Sequence, residues 1–282
     1  MLESGSTAPA PHPDPQRGFL PPGSVRHVPL SAPFRWLLRG LRDMVAYPAA
    51  SLFYGACFAS LGFLLYAYTH QHVRYMAAMT SAFALAGPFI AIGLYDISRR
   101  RDAGLPCKLG PTTIAWLPNI VNISMFGGLL CFIMLAWTVV ALMLFNAFYG
   151  NQSPSLGELF NDVVTLRDPV FVFSYGFAGG LFAALVFSLS VVSIPMMLDR
   201  NCNVFYAMRA SVVSTIQNLP AMILWAGMIV AFTSVGLFSF YVGLMLGIPL
   251  LGHAGMILAM PVIGHASWHA YRDIVAPETE IW

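Results

Sequence analysis

Two histidines near the end of the chain, His265 and His269, stand four residues apart. On a helix that spacing puts both rings on one face, where they could share a metal, a haem or a proton. His253 is third in the run, but its twelve-residue offset from His265 places it about 18 Å further along the helix, too far for a three-histidine metal centre. A bis-histidine haem needs a ring from another element at matching depth, and His70 and His72 fall at the far end of the first hairpin. Three acids form a second set: Asp96 beside Arg99, Asp199 beside Arg200, and Asp273 beside Arg272. Buried ionisable groups in a membrane are usually functional unless they are paired or snorkel to water. Asp96, Asp199, His265, His269 and Arg272 are therefore the candidate polar cluster. In it the two acids would take a cation or proton, the rings would relay it, and a pair between a ring and Asp96 or Asp199 is open.

The alternative makes the same residues structural. Each acid pairs with its arginine, and His265 and His269 join Trp268, Tyr271 and Arg272 in an interfacial belt whose polar tips reach water. Cys57, Cys107, Cys131 and Cys202 form no CxxC pair and read as small apolar side chains. No phosphate-binding glycine loop, nucleophile elbow, HExxH or dinucleotide fingerprint occurs. The expectation is accordingly no catalytic residue, no metal and no cofactor, in a protein that is not an enzyme.

What must hold such a cluster follows from composition. Of 282 residues, 58% are apolar and 9% charged, against about a quarter charged in a soluble domain. That balance excludes a water-soluble globule, a disordered chain and a disulfide scaffold alike. A crossing helix needs about 20 apolar residues. The charge-free gaps yield Pro48–Tyr68, Tyr75–Tyr95, Ile123–Phe148, Val170–Leu198, Pro220–Tyr241 and Gly247–Tyr271, with a turn near Gly243. Six crossings put twelve of the fourteen Lys and Arg on one side. The positive-inside rule makes that side, with both termini, cytoplasmic.

Residues 1–32 are rich in Pro, Ser and Gly and read as a disordered cytoplasmic tail. Residues 33–275 form the six-helix transmembrane domain, and 276–282 a short C-terminal tail. No short apolar run with a cleavage site precedes the first crossing. Ahead of it, Phe34, Leu37, Leu38, Leu41 and Val45 recur at helical spacing, with Arg35, Arg39, Arg42 and Asp43 opposite. That is a basic amphipathic helix of the kind that lies among headgroups. Val204–Leu219 repeats the pattern before Pro220, with Phe205, Met208, Val212, Ile216 and Leu219 on one face, and Thr112–Leu117 repeats it weakly before Pro118. The fold class is thus all-α: three quasi-repeated helical hairpins with cytoplasmic amphipathic helices. The external segment Gly150–Arg167 of the middle copy adds a helix with Ser155 and Glu158 at capping-box spacing and Leu156, Leu159, Phe160 and Val163 on one side. Pro88, Pro195, Pro249 and Pro261 fall in the even crossings and are expected to kink them. Gly176/Gly180 and Gly243/Gly247 fit close helix contacts.

Seven segments carry a resemblance: Val28-Pro29-Leu30, PFRWLLRGLRDM, YPAASLFYG, GLYDISRR, NQSPSL, SVVSIPMMLDR and GHASWHAYRD. Over nearly everything after residue 26 the chain resembles a family of bacterial integral membrane proteins of unknown function, some members of which carry a cytochrome c oxidase subunit label. The resemblance implies a six-span protein of the bacterial inner membrane with a link to respiration. An oxidase's catalytic subunit holds its haems and copper with histidines from several spans, whereas here the intramembrane histidines share one. The reading that follows is a non-catalytic accessory or assembly subunit. Its partners are the lipid bilayer and other inner-membrane respiratory subunits, with no nucleic acid. A small-solute or lipid transporter is the first alternative, and a haem or metal-binding membrane protein the second. Tags placed on either tail are expected to stay unreachable from outside intact cells, and surface labelling of either would overturn the threading.

Overall fold

Proline within a helix's first turn sacrifices only an N–H that would be unpaired there anyway. Pro33, Pro48, Pro169, Pro220 and Pro249 all sit at such starts. The computed structural model describes residues 25–69, 76–150, 154, 156–246 and 249–276. Its helices are α1 (Ala32–Ala46), α2 (Pro48–Thr69), α3 (Met76–Asp102), α4 (Leu109–Thr113), α5 (Ile120–Tyr149), α6 (Leu156–Val164), α7 (Pro169–Ser190), α8 (Ser193–Arg200), α9 (Val204–Gln217), α10 (Leu219–Met245) and α11 (Pro249–Ile274). No strand forms among the described residues, where an antiparallel bridge joins Val25 to Val275. His70, His72, Ser155, Gly247, most of the N-terminal tail and the last six residues lie outside the described residues.

Apart from Val191–Val192, helix occupies the described parts of the six apolar stretches. Three helical stretches among the described residues, Leu109–Tyr149, Pro169–Arg200 and Leu219–Ser239, are long and apolar enough to cross a bilayer. The pair α1 and α2 would make a fourth, bent by 109°. That bend falls at Tyr47, just before Pro48, where the residue preceding a proline is pushed out of helical geometry. It turns α1 roughly perpendicular to α2.

The apolar faces of the short helices point away from the protein. On α1, Phe34, Leu38, Leu41 and Val45 are exposed, while Ala32, Trp36, Gly40 and Asp43 are buried. On α9, Phe205 and Ile216 are exposed, while Ala207, Ala210, Ser211 and Ser214 are buried. Beside α4, Ile114 and Leu117 are exposed and Thr112 is buried. These helices grip the protein through small and polar side chains and offer their apolar stripes outward. The opposite face of α1 is therefore only partly a solvated basic face, because Trp36, Gly40 and Asp43 are buried in the packing against α11.

Contacts run in one sense round the bundle. α1 packs on α11, α4 on α3, and α9 on α7 and α8. Among the long helices α11 is central, touching α10, α2 and α3. Glycine permits the closest of these approaches. A Cβ on Gly40 would lie 2.6 Å from the Val262 carbonyl oxygen, and one on Gly55 2.2 Å from that of Ile257. Below them, Trp36 and Trp225 meet edge to face at 5.7 Å.

Two expectations need correction. Gly176 and Gly180 have open space where a Cβ would be, because α7 turns Phe173, Phe177 and Leu181 outward with them. The glycine in contact is Gly179, whose Cβ would stand 3.2 Å from Trp137. Pro195 and Pro249 begin helices instead of bending them; only Pro88 and Pro261 lie inside one. The fourth stretch is interrupted at Val191–Val192, and the freed Val192 N–H donates to Ser211 Oγ of α9 at 3.1 Å.

Backbone atoms cannot step aside for a new side chain. Gly40→Val is therefore expected to lower stability by about 1–3 kcal/mol, read as a fall in the unfolding midpoint in mild detergent. Gly180→Val is expected to be tolerated, and equal midpoints for the two variants would refute the packing described.

Candidate functional site

A carboxylate taken out of water needs partners that replace its hydration. Asp43 has three. It is four residues before Tyr47, on the buried face of α1, and almost fully shielded. Its Oδ2 accepts from Ser98 Oγ of α3 and from His269 Nε2 of α11 at 2.9 Å. Its Oδ1 accepts from the Arg101 guanidinium, also on α3. Burial alone pushes this carboxyl up, yet the hydrogen bonds from His269 and Ser98 and the two nearby rings hold it below its ordinary value.

His265, one turn before His269, continues the network inward. Its Nδ1 meets Ser98 Oγ at 2.8 Å and its Nε2 meets Ser51 Oγ of α2 at 2.9 Å. Ser51 Oγ in turn donates to the Tyr47 carbonyl at 2.8 Å. Four helices, α1, α2, α3 and α11, thus meet in one hydrogen-bonded cluster at the arginine-rich end of the bundle.

Four further ties close the same end. Asp96, fully buried, accepts from Arg99 at 2.6 Å and from Arg100 at 2.6 Å, the helical neighbours three and four residues on. Asp199 accepts from Tyr271 Oη at 2.8 Å and Arg272 at 3.4 Å, and Arg200 binds Tyr271 Oη at 3.0 Å and the Ala276 carbonyl at 2.6 Å. Asp273 takes a two-pronged pair from Arg39 at 2.9 and 2.7 Å, and Trp36 Nε1 at 2.9 Å. Burial raises the Asp273 carboxyl, but the Arg39 and Trp36 hydrogen bonds more than reverse this and hold it below the usual range. Trp268 Nε1 donates to Asp102 at 2.8 Å.

The five residues singled out from sequence all lie at this end but in separate knots. Asp199 and Arg272 touch directly. His265 and His269 are joined through Asp43 and Ser98. Asp96 is tied to its own helix, with Arg99 reaching the Leu198 carbonyl at 3.5 Å. Neither ring bonds to Asp96 or Asp199; the carboxylate that pairs with His269 is Asp43. The interfacial belt is also corrected: His265, His269, Trp268 and Tyr271 are buried, because helices pack on both sides of α11 here. One signal for Asp43 was present. It shares a helical face with Trp36 and Gly40, apart from the apolar stripe, as the lone acid among three arginines of α1.

No group of three or more His, Cys, Asp or Glu suited to a metal occurs among the described residues. At the opposite end, where α5, α6 and α7 meet, a cavity of about 500 Å³ is lined by Tyr149, Glu158, Asp162, Arg167 and Asp168. Asp168 also caps α7 by accepting from Phe171 N at 3.1 Å.

Folded-state carboxyl values held low mean that stability from Asp43 and Asp273 is complete above the ordinary carboxylate value, about pH 4, and drains as pH falls through the lower folded values. Unfolding followed from about pH 6 to about pH 2 is expected to show this acid loss. Asp43→Asn is expected to cost about 1–3 kcal/mol near neutrality, because the buried hydrogen bonds from Ser98 and His269 lose their charged acceptor, and to flatten the acid limb. An Asn variant as stable as the parent would sink the clasp.

Residues 75–199 match a family model described as "Predicted integral membrane protein (DUF2189)". Over those residues the match bears out the resemblance to a membrane family of unknown function, and the chain is an integral membrane protein. No curated protein and no solved structure matches it. The matched segment spans α3 to α8 and so includes Asp96, Ser98, Arg101 and Asp199.

Proposed function

We propose that the chain is a multi-pass protein of the bacterial inner membrane acting as a non-catalytic accessory or assembly subunit, its partner a respiratory complex of the cytochrome oxidase kind. The observation that carries this reading is the use made of charge at the arginine-rich end. Asp43, Asp96, Asp199 and Asp273 are each consumed in holding helix to helix or helix to its own arginines. Asp96, Asp199, His265, His269 and Arg272 belong on this reading to a structural clasp. The outer faces of the long helices, with Phe132, Met143, Phe173, Phe177 and Phe238 exposed, are the surfaces left for lipid and for neighbouring subunits. The respiratory partner rests on the label carried by some members of the family the chain resembles.

The threading belongs to the same proposal. Six crossings, with both termini cytoplasmic, arrange the chain as three units of surface helix, span and span: α1–α2–α3, α4–α5–α7/α8 and α9–α10–α11. Each unit's surface helix leans on the second long helix of the unit before it, and α1 on α11 closes the ring, a pattern the contacts support. The 109° bend between α1 and α2 supports a place for α1 along the headgroups. Residues 1–32 and 276–282 are the cytoplasmic tails of the domain 33–275, with Val25–Val28 held against α11 and Asn218 through Arg26 N to Ile274 O at 2.7 Å and Val28 N to Asn218 Oδ1 at 2.8 Å.

Co-purification from native membranes in mild detergent tests the role. Respiratory subunits are expected in the eluate, and deletion of the gene is expected to lower oxygen consumption. A protein that always runs alone, in a strain whose respiration is unchanged by the deletion, removes the reading.

A further inference from the structure

Counting hydrogens along the inner half of the clasp gives a result that its role as a tie does not require. Four contacts run in series: Asp43 Oδ2 to Ser98 Oγ, Ser98 Oγ to His265 Nδ1, His265 Nε2 to Ser51 Oγ, and Ser51 Oγ to the Tyr47 carbonyl. Each needs one hydrogen. A carboxylate and a carbonyl supply none, each serine supplies one, and a neutral imidazole supplies one. Three hydrogens cannot fill four contacts. Oδ2 already receives His269, so the carboxylate stays an acceptor and Ser98 gives it the hydroxyl hydrogen. His265 Nδ1 must then donate to Ser98. With Ser51 donating to Tyr47, Nε2 must donate as well.

We propose that this chain of groups is a proton-binding site: Asp43, Ser98 and His265 together hold one proton more than a carboxylate and a neutral ring carry, and Ser51 closes the site on the Tyr47 carbonyl. The proton comes from water on the half-exposed flank of Arg101. Its uptake forms the second N–H bond of His265 with the ring's own lone pair, as one O–H bond of the protonated solvent water breaks and leaves neutral water behind. In the empty state the Ser51 hydroxyl points at Nε2; in the loaded state it turns to the Tyr47 carbonyl. Only one hydroxyl rotation separates the two, so loading leaves the helix packing in place. The groups facing the ring are Asp43 of α1, Ser51 of α2, Ser98, Arg101 and the Leu94 carbonyl of α3, and His269 of α11 itself. Burial opposes the loaded state, as do a charged His269 and Arg101, while the Asp43 carboxylate and the Leu94 carbonyl favour it. This site stands whether or not the protein serves a respiratory complex.

Solid-state NMR of the full chain in liposomes, with ¹⁵N-labelled histidine, tests it between about pH 8 and about pH 4, the range in which an imidazole changes charge. One ring, absent from the spectrum of the His265→Gln variant, is expected to gain a second N–H as the pH falls. Ser51→Ala, which removes the acceptor for Nε2–H, is expected to move that midpoint down by about one pH unit or more. Should His265→Gln not fold, the ring is identified by its contacts to two ¹³C-labelled serines; should Ser51→Ala not fold, Ser98→Ala takes its place with the same expected direction. A His265 ring that stays singly protonated over the whole range overturns the proposal, as does a midpoint that the serine variant leaves unmoved.

Discussion

A carboxylate placed among apolar helices keeps its charge only if the fold surrounds it with donors, and Asp43 is the point where this fold does so. Its donors come from α3 and α11, helices far from it in the chain. None of the three elements can shift without stranding a buried charge, which makes the site an all-or-none tie. The same constraint sets the neighbouring packing. Gly40 lies one turn before Asp43 and lets α1 approach α11 to backbone distance. Without that approach the carboxylate would not reach His269.

The tie also explains why a helix as basic as α1 faces the way it does. Lipid can take the Phe34–Val45 stripe, but hydrocarbon offers nothing to satisfy Asp43 or Trp36 Nε1. These two go inward, to His269, Ser98 and Arg101 in one case and Asp273 in the other. α9 follows the same logic with neutral groups: Ser211 caps the break between α7 and α8, and Asn218 holds the Arg26–Val28 segment. Amphipathic helices here are fasteners.

Much of the architecture was legible because bilayer chemistry is written in one dimension. Length of apolar run, charge spacing and proline placement located α1, α6, α9 and the starts of the long helices to within a few residues. But α3 runs on past the expected Tyr95 to Asp102, the fourth stretch divides into α7 and α8, and of the expected Thr112–Leu117 helix only Thr112 and Thr113 are α-helical. The site was legible only in outline. His265 and His269 stood out through their spacing of one helical turn, and Asp199 and Arg272 do meet. Asp43, Ser98 and Ser51 did not stand out, since an acid beside arginines on a surface helix looks solvated and a serine in an apolar run looks like filler. Their importance comes from partners 55 to 226 residues away, a relation no local pattern encodes. The glycine contacts were misjudged for the same reason: a pair spaced four apart marks a smooth helix face, and only the neighbour decides whether that face is covered.

Composition and periodicity alone determined that this chain belongs in a membrane, that it is helical, and where its helices begin. Those properties depend on each segment's own transfer free energy and backbone needs, so they can be read segment by segment. Tertiary packing decided which acid pairs with which ring, which glycines are in contact, and that two histidines expected at a watery belt are enclosed instead. Those outcomes depend on which helices lie side by side, and many orders of packing satisfy the same hydrophobic pattern. The choice among them falls to the few buried polar groups, whose charges need donors from particular neighbouring helices.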